Sequence, residues 1–295
     1  MNVSDNKLEM KGVKLSTIAI LCVFLFDLAV STTPTRAQAE RLQQQIRELT
    51  LQIQEQQEAA KLRRSRQVTS QVLNENQVPK RCCIEILEED STAQSGLYRI
   101  ALTDNKGEFT VCCDMSAGGW TIIQHRQDNT TDFYRDWQQY KTGFGNMDGN
   151  FWLGLENIHR ITQTESHELM ITMMDHDDVT FVARYNLFKV DSEATDYQLE
   201  IGNYIGASST AGNSLQIHDN QKFSTYDNDN GVNPTKNCAE KHHGAWWYKN
   251  CHETNLNGKY YHGDYSATDA DGIVWYGVGG YWHSLKTVTM AIKPV

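Results

Sequence analysis

The chain has 295 residues, which is enough for one large domain, or two smaller ones, together with shorter segments. It carries 37 acidic and 27 basic residues, and its net charge of −10 argues against nucleic-acid binding that depends on neutralising phosphates. Its 7 tryptophans and 13 tyrosines are numerous, and these side chains are common at recognition surfaces because each joins an apolar body to a polar group.

The first thirty residues form a basic segment followed by a short apolar run. Three lysines precede the apolar residues 15–26, and Asp27 ends the run. Extending the run to Val30 gives 16 residues, fewer than the roughly 20 that span a bilayer. We interpret residues 1–30 as a secretory signal peptide, with an uncleaved type II signal anchor as the alternative. Either leader places the rest of the chain outside the cytoplasm.

The cysteine count is typical of an oxidising, extracellular compartment. One of the seven cysteines, Cys22, lies in the leader and is set aside. The other six form an even set, which predicts disulfide bonds. They are Cys82, Cys83, Cys112, Cys113, Cys238 and Cys251. The sequon that begins at Asn129 predicts an N-linked glycan on such a secreted chain.

Residues 37–62 carry a heptad pattern that predicts a short coiled coil. Isoleucine occupies a positions and leucine occupies d positions over about two heptads, and the remaining residues are mostly Gln, Glu and Arg. Such a stalk would join two or three copies of the chain. A single exposed helix is the alternative, because so short a seam is only marginally stable. The polar residues 63–80 that follow are interpreted as a linker.

From residue 81 to residue 295 no further linker interrupts the chain, so this region is predicted to be one domain. Patterns typical of strands occur over residues 109–113, 119–125, 168–174, 179–185 and 288–295. Patterns typical of helices occur over residues 132–144 and 152–162. This combination predicts an α+β fold that is built on an antiparallel sheet with long loops.

Several long strings in this region are rich in Trp, Gly and Cys. They are GLYRI (96–100), FTVCCDM (109–115), KFSTYDNDN (222–230) and the runs 118–162, 237–261 and 271–294. Together they resemble the fibrinogen C-terminal, or fibrinogen-related, domain over residues 81–295. The resemblance implies a twisted antiparallel sheet with long C-terminal loops. A leader, a short coiled coil and one such domain form the layout of ficolins, tachylectins, angiopoietins and fibrinogen-like proteins.

Cys238 and Cys251 bracket twelve residues that are rich in Trp, Tyr and His. A bridge between them would stabilise this loop by roughly 3 kcal/mol in the chain-entropy model. A zinc cluster is an alternative for the histidines, although their spacing is not typical of zinc ligands. The resemblance implies a binding pocket here, with a cis peptide between Asn250 and Cys251. In the family's lectins, amides matching those of Cys251 and His252 hold an acetyl oxygen.

The resemblance also implies which side chains form the walls of the pocket. His252 and Ala270 match the family pattern, and Tyr281 is a candidate for one wall. Acetyl-binding members often have tyrosine at the positions of His242 and Asp269. These two residues make the expected pocket more polar, so a cationic or hydroxyl-rich group is an alternative ligand.

Residues 224–238 resemble the calcium loop of the family, in which acidic side chains and backbone carbonyls bind Ca²⁺. Asp227 and Asp229 match the loop, whereas Gly231 stands where the family usually has aspartate. Asn233, or a carbonyl, would have to replace that carboxylate. We expect a weak Ca²⁺ site, and the alternative is a solvated turn rich in Asp and Asn.

The vicinal cysteines raise a question of pairing. The family's bridge corresponds to Cys83 and Cys113. Neighbouring residues on a strand face opposite sides, so this bridge does not by itself bring the other two cysteines together. We expect a second bridge between Cys82 and Cys112, with an interchain bond through Cys82 as the alternative.

The sequence supports two functions. The first is a secreted, calcium-assisted, lectin-like protein of innate defence that binds acetylated or related glycan groups, with weak sites strengthened by linkage through the stalk. The second is an angiopoietin-like or fibrinogen-like extracellular ligand for a cell-surface or matrix protein. The sequence contains no nucleophile elbow, phosphate loop or paired carboxylates that would predict an enzyme.

Overall fold

A computed structural model describes residues 80–266 and 269–295 of the chain, together with two isolated helical residues. These two residues, Arg41 and Gln44, are exposed. No helix in the described part of the chain combines the length and the apolar character that crossing a bilayer requires.

The chain divides into two units, Met1–Gln77 and Val78–Val295. The division falls within residues 63–80, the segment predicted to be a linker. Three predictions fall on residues that the structure does not describe. They are the leader (1–30), the coiled coil (37–62) apart from the two isolated residues, and the linker before residue 80. These three predictions therefore remain untested.

The second unit is built on an antiparallel sheet. Its strands are β1 (Gly96–Ala101), β2 (Glu108–Asp114), β3 (Trp120–Arg126), β4 (Phe144–Gly145), β5 (Phe151–Trp152), β6 (His167–Met174), β7 (Thr180–Tyr185), β8 (Phe188–Val190), β9 (Leu199–Ile201), β10 (Thr254–Asn255), β11 (Val274–Trp275) and β12 (Thr287–Pro294). The main sheet has the order β1-β2-β3-β12-β6-β7, and β5 pairs with both β3 and β4 beside it. Two small sheets, β8-β9 and β10-β11, accompany it. The α+β fold with an antiparallel sheet is confirmed.

Short helices connect the strands. They are α1 (Cys83–Glu89), α2 (Trp137–Thr142), α3 (Leu155–Thr162) and α4 (Cys238–Lys241). The sequence predicted longer helices over 132–144 and 152–162. Gly154 shows why α3 starts late: its φ is +100°, and an added Cβ would lie 2.7 Å from the carbonyl carbon of Thr142. Only glycine fits such a backbone, so the helix begins after it.

The alternation of buried and partly exposed side chains along the strands shows which face of the sheet packs against the core. In β6, the side chains of His167, Leu169, Ile171 and Met173 are buried and the intervening ones are partly exposed. Successive strand residues face opposite sides, so this pattern places one face of β6 against the interior. The last strand, β12, lies between β3 and β6 and pairs with both, with an irregularity in register after Met290.

Two disulfides are present, and the prediction of a third is wrong. Cys83 bonds Cys113 and Cys238 bonds Cys251, with Cα–Cα distances of 5.6 Å and 5.5 Å. Cys82 and Cys112 are free thiols in the structure. The alternation of β2 explains this result: Cys113 points into the core towards Cys83, so its neighbour Cys112 faces the other side of the sheet.

Burial also sets the chemistry of the two free thiols. Cys82 is only 3% exposed at the start of α1, and Cys112 is partly buried. Burial raises the pKa of both thiols to about 11. Because the thiolate is the reactive form, both cysteines are expected to react slowly at neutral pH, which also argues against an interchain bond through Cys82.

We expect the Cys113→Ser variant to lose roughly 3–4 kcal/mol of unfolding free energy, because the bridge closes a separation of 30 residues. The Cys112→Ser variant, which touches no bridge, should lose less than about 1 kcal/mol. Urea unfolding of the two variants checks this.

Mass spectrometry after alkylation under denaturing conditions should find Cys82 and Cys112 labelled. A disulfide-linked dimer that disappears in Cys82→Ser would contradict the assignment of Cys82 as a free thiol.

Candidate ligand-binding site

The candidate site is built around the loop between the cysteines of the second disulfide. Asn237 caps the short helix α4, and its side-chain oxygen accepts hydrogen bonds from the amides of Ala239 and Glu240 at 2.9 and 3.1 Å. Cys238 begins the helix and Cys251 closes the loop. We call residues 238–251 the disulfide loop. The peptide bond between Asn250 and Cys251 is cis, as the resemblance implied.

The tryptophans of the disulfide loop belong to the core rather than to the site. Trp246 and Trp247 are fully buried, and the indole nitrogen of Trp247 donates to the carbonyl of Tyr197 at 2.8 Å. These side chains fix the base of the loop within the domain. The residues of this loop that line the cavity lie at its two ends instead.

A buried histidine outside the loop ties the loop to the strand that follows it. The Nδ1 of His218 donates to the carbonyl of Trp247 at 2.7 Å. Its Nε2 accepts from the amides of Glu253 and Thr254, both at 3.3 Å. Because one nitrogen donates and the other accepts, the imidazole is neutral, and burial lowers its pKa to about 4.

The C-terminal loops and the ends of the disulfide loop line an open surface cavity of about 260 Å³. Its lining residues are Lys236, Lys241, His242, Asn250, Cys251, His252, Asp269, Ala270, Tyr281 and Trp282. All six residues predicted to bind a ligand therefore meet at one place. Sequence reasoning missed the two lysines, Asn250 and Trp282 as lining residues.

His252 and His242 form the floor of this cavity. Their rings meet edge to face with centroids 4.5 Å apart, and the ring of Tyr281 lies 5.8 Å from that of His252. The Nε2 of His252 donates to the carbonyl of Ala270 at 3.1 Å. Ala270 has a φ of +48°, a left-handed conformation that is uncommon outside glycine and is found at functional sites.

Several polar groups of the floor have no protein partner. The Nδ1 atoms of His242 and His252 are buried and make no hydrogen bond to the described residues. The amides of Cys251 and His252 likewise donate none within the described residues. A buried polar atom without a partner costs about 1–3 kcal/mol, so these groups favour a ligand, or water, that bonds to them.

Burial keeps both histidines of the floor neutral. It lowers the pKa of His242 to about 4 and that of His252 well below the usual 6.5. Their mutual repulsion when charged and the nearby ammonium of Lys236 lower the pKa of His252 further. Hydrogen bonding to the backbone of Asp269 and Ala270 offsets part of this effect at His242.

The charged residues of the rim are unevenly paired. Asp269 forms an ion pair with Lys241 at 3.1 Å, and both side chains are partly exposed. The side chain of Lys236, which also lines the cavity, makes no ion pair or hydrogen bond with the described residues, and its backbone amide donates to the carbonyl of Asn233 at 3.5 Å. The pairing of Asp269 means that the rim offers no free carboxylate to a cationic ligand, the alternative that the sequence suggested.

The loop predicted to bind calcium has a limited set of ligands. One oxygen of Asp227 accepts from the Trp137 amide at 3.0 Å, and one oxygen of Asp229 accepts from the Gly231 amide at 3.0 Å. The side-chain oxygen of Asn233 accepts from the Thr235 amide at 3.0 Å. The described residues contain no cluster of three or more acidic, His or Cys side chains suited to a metal. The two carboxylates fit Ca²⁺ only if carbonyls and water complete its six to eight oxygens.

The structure separates the histidines that were considered for zinc. His243 turns away from the cavity, and its Nδ1 lies 3.2 Å from a carboxylate oxygen of Asp271. His242 and His252 remain together, but two imidazoles without further ligands are fewer than zinc sites use. The predicted glycan acceptor, Asn129, is exposed on a loop after β3, where a glycan would not disturb the core.

The described region is thus a disulfide-stabilised α+β domain whose C-terminal loops line an open, polar cavity. A family model described as the C-terminal globular domain of fibrinogen beta and gamma chains matches residues 79–295. The chain belongs to this family. The match begins two residues before the predicted start of the domain at residue 81.

Known proteins with similar sequence or structure share this domain. Human fibrinogen-like protein 1 is 43% identical over 227 residues, which cover 72% of this chain and 71% of that protein. The fibrinogen-like globe domain of human ANGPTL2 superimposes with a TM-score of 0.70 and 39% identity, covering 73% of this chain and 99% of that one. Lamprey fibrin D-dimer in complex with the peptide ligand Gly-His-Arg-Pro-amide has a TM-score of 0.69 and 29% identity, covering 95% and 94%.

We expect the domain to lose stability as the pH is lowered from 7 to 4.5. The unfolded chain protonates His218 near pH 6.5, whereas the folded chain resists protonation until about pH 4, so the stabilisation is complete above 6.5 and is lost as the pH falls towards 4. The contribution of His218 is roughly 2–3 kcal/mol over this interval. Urea unfolding at both pH values should show a smaller pH dependence for His218→Gln; an equal dependence in both proteins would contradict this role.

Proposed function

We propose that this protein is a secreted, lectin-like recognition protein that binds acetylated or related glycan groups in the cavity at the disulfide loop. The observation that carries the proposal is the set of unpartnered groups on the cavity floor. Two amides, of Cys251 and His252, supply donors for an acetyl oxygen, and the rings of His252 and Tyr281 supply a surface for its methyl group. Pattern recognition in innate defence follows as the biological role.

The shape and polarity of the cavity support binding rather than catalysis. A volume of about 260 Å³ suits a single sugar residue or its acetyl group more than a larger ligand. Both imidazoles are held neutral, and the described lining contains no serine or cysteine thiol that they could activate. Copies joined through the N-terminal stalk would bind a glycan-covered surface more tightly than one copy does.

Calcium assistance is part of the proposal. Asp227 and Asp229 would hold Ca²⁺ with help from backbone carbonyls and water. The same loop contacts the cavity, because the side-chain nitrogen of Asn233 donates to the side-chain oxygen of Asn250 at 3.2 Å. Ca²⁺ binding that orders this loop would therefore also hold Asn250 in place at the edge of the cavity.

We expect the full chain to be retained on N-acetylglucosamine resin and eluted by free N-acetylglucosamine. The His252→Ala variant removes the floor of the cavity and should weaken binding roughly fivefold to tenfold, measured by titration calorimetry. His262→Ala is a matched control, because this exposed histidine does not line the cavity. Failure of the wild-type chain to bind any acetylated ligand would overturn the proposal.

We expect millimolar CaCl₂ to raise the thermal unfolding temperature of the chain relative to EDTA, because an ion that binds only the folded state stabilises it. The Asp229→Asn variant removes one of the two carboxylates and should respond little. Calorimetric scans at matched ionic strength measure both effects. An unfolding temperature that is the same in CaCl₂ and EDTA would exclude the calcium site.

A second candidate function is binding of an extracellular protein. Tyr276, Tyr281 and Trp282 form an exposed aromatic edge beside the cavity, and exposed aromatic side chains are enriched in protein interfaces. The similarity to fibrinogen-like protein 1, and to lamprey fibrin bound to a peptide ligand, is consistent with this function. Cell-surface binding that survives excess acetylated sugar and EDTA, but is lost in Trp282→Ala, would favour it.

A further inference from the structure

Three aromatic side chains from separate loops meet on the surface outside the cavity. Tyr134 follows β3, Tyr226 lies in the loop predicted to bind calcium, and His243 lies in the disulfide loop. The ring of Tyr134 is 4.8 Å from that of Tyr226 and 5.3 Å from that of His243, between centroids. None of the three lines the cavity. We call these three rings the aromatic platform.

The platform is open to solvent, and one of its rings is fixed in place. Tyr226 is 39% exposed, and the side chain of His243 is 50% exposed. His243 has a φ of +43°, and its Nδ1 lies 3.2 Å from a carboxylate oxygen of the buried Asp271. The hydroxyl of Tyr261 donates to the same carboxylate at 3.1 Å. A ring that is held before binding loses less conformational entropy when a ligand arrives.

The domain covers many of its other rings with its own cations. A lysine or arginine lies within 5.5 Å of the centroid of each of five rings. They are Phe109, Trp120, Phe133, Phe144 and Tyr261. No lysine or arginine of the described residues lies over Tyr134 or Tyr226 in this way. The platform therefore presents aromatic surface on which a cation from another molecule can stack.

Two carboxylates flank the first tyrosine of the platform in the sequence. The side-chain oxygens of Asp132 and Asp136 accept from backbone amides, and neither carboxylate forms an ion pair with the described residues. Arg135, the basic residue between them, is engaged elsewhere. Its guanidinium lies 5.0 Å from the ring centroid of Phe144, and its Nε donates to the carbonyl of Asp132 at 2.8 Å.

A third carboxylate approaches the platform from the helix α4. Glu240 is exposed and forms no ion pair with the described residues. It lies three residues before His243 in the sequence. Burial, and after it the charge of Glu240, raises the pKa of the Tyr134 hydroxyl, so this carboxylate acts on the ring. The surroundings of the platform thus favour a cation, as does the net charge of −10 of the whole chain.

We propose that the aromatic platform binds an arginine of a basic segment in an extracellular protein partner. The planar guanidinium stacks on the tyrosine rings, and its N–H groups donate to a carboxylate beside them. Arginine fits better than lysine because it combines both contacts, and it supplies the cation in four of the six cation–ring contacts within the domain. The platform and the cavity share no residue, so this inference does not depend on glycan binding.

The test compares two peptides that differ only in charge. The first is the head-to-tail cyclic peptide of three Arg-Gly units, and the second has citrulline in place of each arginine. Cyclisation removes the terminal groups that could enter the cavity. We expect titration calorimetry on the full chain in EDTA to show that the arginine peptide binds roughly fivefold to tenfold more tightly than the citrulline peptide. High salt should reduce this preference.

Variants of one tyrosine separate ring stacking from general charge attraction. Tyr226→Leu keeps an apolar side chain but removes the ring, and it should abolish most of the preference for arginine. Tyr226→Phe keeps the ring and should retain the preference. Tyr276→Leu is the matched control, because this tyrosine is 50% exposed at the aromatic edge beside the cavity. Glu240→Gln should reduce the preference about twofold to threefold. Thermal unfolding of each variant checks that it folds.

Several results would overturn the proposal. Equal binding of the two peptides, or binding of neither, would do so. A loss in Tyr276→Leu without a loss in Tyr226→Leu would place the peptide at the other aromatic edge. An equal loss in Tyr226→Phe and Tyr226→Leu would show that the ring is not the binding group. Competition by tetramethylammonium as strong as that of the arginine peptide would overturn the assignment to a protein segment, because the platform would then recognise a cation alone.

Discussion

The cavity depends on one buried, neutral imidazole. His218 uses both ring nitrogens at once, donating to the disulfide loop at Trp247 and accepting from the two amides that follow His252. The disulfide at Cys238 and Cys251 closes the same loop covalently. With both ends held, His252 keeps its Nε2 on the carbonyl of Ala270, and its Nδ1 has no partner among the described residues. Rigid support of this kind is what keeps unpartnered polar groups available to a ligand.

The electrostatics of the site follow from tertiary pairing rather than from composition. From the sequence alone, Asp269 predicts a carboxylate in the pocket that would attract a cationic ligand. In the fold, Lys241 neutralises it, and the Lys236 ammonium has no ion pair among the described residues. The local charge therefore has the opposite sign to the charge of the chain. Local fields of this sort matter most where the groups are partly removed from solvent, as they are here.

Sequence patterns predicted the strands well because alternation is a local property, and β6 is a clear example. They placed the start of α3 too early because Gly154 requires a backbone that no local propensity indicates. The pocket residues around His252 were predicted only because they resemble a family motif. Lys236 and Lys241 were missed as lining residues because nothing in their local sequence shows that they line the same cavity as Asp269. The predicted bridge between Cys82 and Cys112 is wrong because adjacent residues of a strand face opposite sides of the sheet. Cys112 therefore points away from the core, where its neighbour Cys113 lies.

The position of β12 has a consequence for biogenesis. The centre of the main sheet is closed by the last strand of the domain, which inserts between β3 and β6, more than a hundred residues earlier in the sequence. During synthesis, the edges of β3 and β6 that β12 will cover stay unpaired until this strand leaves the ribosome. Exposed strand edges invite association with other chains. The nascent domain therefore exposes two unpaired strand edges to association with other chains until its final strand is made.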